Sequence, residues 1–127
     1  LRKNLGFENL SIKIQDIFTQ ENISKIVFEK RGDISRFNYY LNRDNKKLEN
    51  KIFLKTDSLV PGNFYEANFN YNLMNKTKGE KILIVKNISN LKNINYNLDE
   101  IKFLKIISTN TVKNLKRTYY LYVGKIK

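Results

Sequence analysis

Lys51, Phe53 and Lys55 set a flat apolar ring between two ammonium groups at alternate positions. Arg36 and Tyr40 repeat the pairing of a cation with a ring earlier in the chain. Rings and cations on one face suit a particular chemistry. Cations neutralise phosphates and release their counterions, which adds salt-dependent affinity. Flat rings take unstacked bases, at about 1–3 kcal/mol for each stacked base. A single strand of nucleic acid presents both groups, so these five residues are candidate contacts for one. A plainer reading makes the tyrosines amphipathic wall residues and lets Phe53 cover a neighbouring element.

More cations sit in the connecting segments. Lys25, Lys30 and Arg31 precede the Arg36 segment, Arg43, Lys46 and Lys47 follow it, and Lys76 and Lys78 lie in a later polar stretch. Each reads equally well as a groove-closing contact or as an ordinary solvated lysine or arginine. Lys113, Lys116, Arg117, Lys125 and Lys127, with Tyr119, Tyr120 and Tyr122, either extend the same groove or hold a neighbouring subunit.

The whole-chain balance points the same way. The 127 residues carry 24 Lys and Arg against 12 Asp and Glu, a net charge of +12. Such an excess favours polyanionic partners. Over half the residues are Asn, Lys, Ile, Tyr or Phe, so AT-rich coding accounts for part of the lysine count but not for the scarcity of acids. Cysteine and histidine are both absent, which removes disulfides, thiol and histidine catalysis and the usual zinc sites. Leu, Ile, Val and Phe make up about a third of the chain, well above the roughly 20% of highly charged disordered chains. The expectation is therefore one folded domain over residues 1–127, with no membrane span and no signal-like apolar run in Leu1 to Phe7. The first residue is not Met, as if the start had been trimmed.

What elements would position these side chains? Ala67 is the only alanine, and Ile, Tyr, Phe, Val and Thr suit strands. Leu10, Ile12 and Ile14 alternate with polar residues, and Asp16-Ile17-Phe18 breaks the phase as a β-bulge would. Lys25 to Arg31 reads as a short strand or an extended arm, with a turn at Arg31-Gly32-Asp33. Arg36 to Arg43 alternates, with Phe37, Tyr39 and Leu41 on one face and Arg36, Asn38, Tyr40 and Asn42 on the other. Lys51 to Lys55 would be its hairpin partner across the turn residues Asp44 to Lys47. Asn63 to Leu73 and Lys81 to Asn87 read as two further strands. After them, Asn97 would cap a short helix striped by Leu98, Ile101, Leu104 and Ile107, and Thr118 to Val123 would be an extra terminal strand.

A hairpin from about Ile34 to Thr56, then Ser58-Leu59-Val60-Pro61-Gly62-Asn63, a long strand, a loop and the strand Lys81 to Asn87 together resemble the second half of many OB-fold nucleic-acid-binding proteins. In these, Leu-x-Pro-Gly-[Asp/Asn] precedes the fourth strand. The likeness covers residues 10 to 90. The segment Thr56 to Gly62 is too short for the helix usual between the third and fourth strands, and the first strand lacks the glycines often found there. Fold, small size and charge together are similar to the small single-stranded-DNA-binding proteins of phages and plasmids. The resemblance implies a mainly β, five-stranded OB-fold-like barrel over about 10–90, with a C-terminal extension over about 91–127. It also implies that the second and third strands form the binding face.

Other motifs are weak. Arg31-Gly32-Asp33 is a three-residue match in a turn, and four Asn-x-Ser/Thr sequons (Asn9, Asn22, Asn75, Asn87) are expected by chance in an asparagine-rich chain. No phosphate-binding loop, dinucleotide fingerprint or nuclease-like carboxylate cluster appears. The expectation is a cytoplasmic, non-enzymatic protein without metal or cofactor. It would coat single-stranded DNA, or RNA as a variant, during replication or transfer of a mobile element, and self-associate through its extension. Its contacts would be Lys30, Arg31, Arg36, Tyr40, Arg43, Lys51, Phe53, Lys55, Lys76 and Lys78. The rival is a small β-barrel interaction module, adaptor or inhibitor, that docks an acidic protein on its basic face.

Overall fold

The computed structural model describes residues 5–44, 46–55, 70–71, 74–89, 96–110 and 116–127. Helix α1 (Leu5–Gln20) leads into strand β1 (Lys25–Phe28), helix α2 (Arg31–Asp44), a 3-10 turn (Lys46–Leu48) and strand β2 (Ile52–Leu54). Strands β3 (Lys81–Lys86), β4 (Leu98–Asn110) and β5 (Lys116–Ile126) follow. The five strands form one sheet in the order β2-β1-β3-β5-β4. β1 runs parallel to both β2 and β3, while β5 is antiparallel to both β3 and β4. β2 and β4 are the sheet's edges, so the described strands make an open mixed sheet and do not close into the expected barrel. The segment Ser58 to Asn63, and all of the expected Asn63 to Leu73 strand except Asn70 and Tyr71, lie outside the described residues.

Two segments expected as strands are helices. Phe7, Leu10, Ile14, Ile17 and Phe18 are buried, whereas Ile12 is 48% exposed. That is the stripe of an amphipathic helix, and Leu10 and Ile14 satisfy both periods. Asn22 ends α1: its φ of 55° is left-handed, and Ile23 N–H donates to Phe18 C=O at 3.0 Å in a Schellman-type closure. In α2, Ile34, Phe37, Tyr40 and Leu41 face inward and Tyr39 outward. An alternating phase places these two tyrosines the other way round. Arg31-Gly32-Asp33, expected as a turn, is the first turn of α2.

The expected C-terminal helix is instead strand β4. Register shifts against β5 between Asp99 and Lys102, and between Phe103 and Lys105, insert extra residues. Three-residue steps then stay on one face: Leu98 and Ile101 share one core cluster, Ile107 and the partly buried Leu104 the other. The bulges thus imitate a helical stripe. β1, β2, β3 and β5 fall where the sequence places strands. The residues read as an extension belong to the same sheet, since β5 lies between β3 and β4.

Both faces of the sheet are covered, so β1 and β3 read as continuous apolar runs. On one face α1 and α2 bury Ile26, Phe28, Ile52, Leu54, Leu83, Val85 and Leu121. On the other, Tyr71, Met74 and Tyr96 pack over Val27, Ile82, Ile84 and Tyr122. No described helix is long and apolar enough to cross a membrane.

Candidate nucleic-acid interface

Three expected contacts, Arg31, Arg36 and Arg43, lie on α2, and Lys30 immediately precedes it. Lys30 and Arg31 are exposed at its start, and Arg36 and Arg43 are exposed along its length. Arg36 and Arg43 are two turns apart, about 10 Å along the axis. Between them Tyr39 stands 62% exposed. Arg43 donates from Nη2 to Glu8 Oε1 at 2.8 Å, and its Cζ lies 5.8 Å from the Tyr39 ring and 5.1 Å from the Tyr40 ring. Both partners keep 39% of their side-chain surface exposed, so the ion pair itself holds little energy.

Beside this face is a second arrangement. The Phe7 ring is fully buried. Arg36 Cζ lies 5.2 Å and Arg117 Cζ 4.6 Å from its centroid. Underneath, Tyr119 Oη donates to Asp33 Oδ1 at 2.7 Å. Burial raises the Asp33 pKa; the Tyr119 hydrogen bond and the charges of Arg36, Lys30 and Arg117 oppose that rise without cancelling it. Burial, with the charge and hydrogen bond of Asp33, raises the Tyr119 phenol.

The remaining expected contacts lie elsewhere. Lys51 sits at the start of β2 with Nζ 5.8 Å from the Phe18 ring. Phe53 is half-buried among the helix-free cluster. Lys55 Nζ lies 5.8 and 5.9 Å from the Tyr71 and Tyr96 rings. Lys76 donates to the Tyr71 and Met74 carbonyls at 3.0 and 3.4 Å, which fixes it to its own loop. Burial lowers its pKa, helped by the charges of Lys25 and Lys55. Lys78 is exposed in the following turn.

The expected grouping of Arg36 and Tyr40 with Lys51, Phe53 and Lys55 is therefore corrected. Arg36 and Tyr40 belong to a helix on one face of the sheet, and Phe53 packs on the other. Tyr40 is only 8% exposed and offers no ring face to a base. The physical cause is the helical period, which buries Tyr40 and turns Tyr39 outward. Read at that period, Arg36, Tyr39 and Arg43 stand at i, i+3 and i+7, which is the signal that finds this face.

One polar group has no counterpart in the sequence reading. Lys86 is 1% exposed, and its Nζ lies 3.0 Å from Glu29 Oε1. Tyr96 Oη donates to Glu29 Oε2 at 2.6 Å. The trio ties the ends of β1 and β3 to the segment before β4. Among the described residues no cluster of acidic side chains could hold a metal ion. Comparison with protein-family models, curated proteins and solved structures finds no match to the chain.

Proposed function

We propose that the chain binds single-stranded nucleic acid, without catalysis and with little sequence preference, through the outer face of α2. The observation that carries the reading is the line of Arg36, Tyr39 and Arg43 on one helix face, with Lys30 and Arg31 at its head. The arginines neutralise phosphates and the exposed Tyr39 ring stacks a base. The surface is a helix and not a barrel groove, and the ligand is argued from the cations and the exposed ring that share it. Coating of single strands in replication or transfer of a mobile element remains the role that fits such binding.

A docked acidic protein is the second reading. The exposed Phe103 and Ile106 on edge strand β4, beside Lys102 and Lys105, favour it.

Fluorescence anisotropy with single-stranded and duplex oligonucleotides at two salt concentrations tests the first reading. Tighter binding to single strands, weakening steeply with salt, is the expected result. Tyr39→Ala removes about 1 kcal/mol or more of affinity and leaves the salt slope unchanged. Arg43→Ala lowers the slope by about one unit or less. Equal affinity for duplex, or an unaltered affinity in Tyr39→Ala, sinks the stacking mechanism.

A further inference from the structure

Several of the described cations sit against carboxylates. Lys25 pairs with Glu80, Arg43 with Glu8 and Lys86 with Glu29. Arg36 and Arg117 are different. α2 and β5 bring the two guanidiniums to the same Phe7 ring. Neither makes an ion pair with any described carboxylate. Asp33, close enough to feel both charges, is buried with one oxygen engaged by Tyr119. Lys30 adds a third cation to the same neighbourhood.

The Phe7 ring and the nearby Asp33 carboxylate hold two like charges in one neighbourhood, and a bound anion would relieve their mutual repulsion further. The sealed ring also lowers the local dielectric, which strengthens any interaction with an incoming anion. A guanidinium held against a ring is a fork already oriented, with parallel N–H donors matched to the oxygens of a phosphate. Nearby, the Tyr119–Asp33 bond ties the start of α2 to β5, the two elements that carry Arg36 and Arg117.

We propose that Arg36 and Arg117, with Lys30 beside them, form a clamp for one tetrahedral phosphate group. Arg117 and β5 thereby join the binding surface. The proposal rests on the nucleic-acid reading only for the source of that phosphate, a backbone phosphodiester; a free phosphate presents the same oxygens.

Two measurements on the full chain test it. In the first, inorganic phosphate is titrated into the protein while the arginine Nε–H signals are followed by NMR, with chloride at matched ionic strength as control. The Arg36 and Arg117 signals are expected to move with phosphate and not with chloride. In the second, single-stranded oligonucleotide affinity is measured for Arg36→Lys/Arg117→Lys, which keeps the charge and removes the forks. About a tenfold loss is expected, with the salt slope nearly unchanged. Arg36→Ala/Arg117→Ala should lose more, and because it uncovers Phe7 its fold is checked by circular dichroism. The lysine pair and the titration stand without it. A phosphate response in a protein that binds no oligonucleotide keeps the clamp, as a free-phosphate site, and removes the nucleic-acid reading. Unmoved arginine signals together with wild-type oligonucleotide affinity in the lysine pair overturn the clamp and leave that reading intact.

Discussion

Glu29 and Lys86 show how an ion pair behaves when its two members are buried unequally. Lys86 is sealed, while the Glu29 side chain keeps 18% of its surface. Glu29→Gln strands a buried ammonium and should cost about 3 kcal/mol or more; Lys86→Met leaves a carboxylate that reaches water and still accepts from Tyr96, so it should cost less. Urea denaturation of the two variants checks the order. Lys86 ends the apolar run Lys81–Lys86 and reads in sequence as a solvated strand end. Its partner is 57 residues away, a separation across which no local pattern carries information. Glu80 shows the opposite balance to Asp33. Burial pushes its pKa up, but hydrogen bonds from Lys25 and Thr77 outweigh that and hold it below the ordinary 4.5. A carboxylate lowered by folding stabilises the native state above its unfolded pKa and loses that contribution as pH falls through the folded value. The stability gap between wild type and Glu80→Gln should therefore narrow between about pH 6 and pH 3, as read by urea midpoints. Tyr71, raised by burial from 10.0 to about 12, acts at the other extreme. The unfolded phenol ionises first, so its contribution to stability falls as pH rises through that interval.

At the level of elements, α1 offers the cleanest separation of the two periods. Strand alternation puts Ile12 and Ile14 on the same face; the helix exposes one and buries the other. Ile14→Ala should cost about 2–5 kcal/mol, and Ile12→Ala less than about 0.5 kcal/mol, both measured by urea denaturation. Equal losses would contradict the helix. Short strands at β1, β2, β3 and β5 were legible because branched and aromatic residues cluster there between polar turns. α1 and α2 were not, because Leu10-x-Ile12-x-Ile14 and Phe37-x-Tyr39-x-Leu41 satisfy the strand period locally, and only packing shows which residue of each set faces water. β4 was misread for the converse reason, its bulges spacing apolar residues by three. No local pattern in the sequence marks Gly124 on β5 as a tight contact. A Cβ there would lie 2.9 Å from Leu98 Cδ1 and 3.2 Å from Leu98 Cβ, so Gly124→Val should cost about 1–3 kcal/mol by overpacking, again read in urea.

For the whole molecule, sign and size of the charge are read directly from the sequence, but its placement is not. The sheet separates the α2 arginines from Lys55 and Lys76, so two basic surfaces stand where a single groove was expected. A net charge of +12 also repels itself. Screening shortens the reach of that repulsion to about 8 Å at physiological ionic strength. The thermal midpoint should therefore rise as sodium chloride is added from very low concentration, as followed by circular dichroism. Strand order has another consequence. β5 follows β4 in the chain yet lies between β3 and β4 in the sheet. Among the described strands β4 therefore reaches the sheet only through β5, along the register from Leu98 opposite Ile126 to Asn110 opposite Lys116. A chain cut short within β5 would lose the hydrogen-bonded neighbour of β4 and loosen the segment that carries Phe103, Ile106 and Ile107.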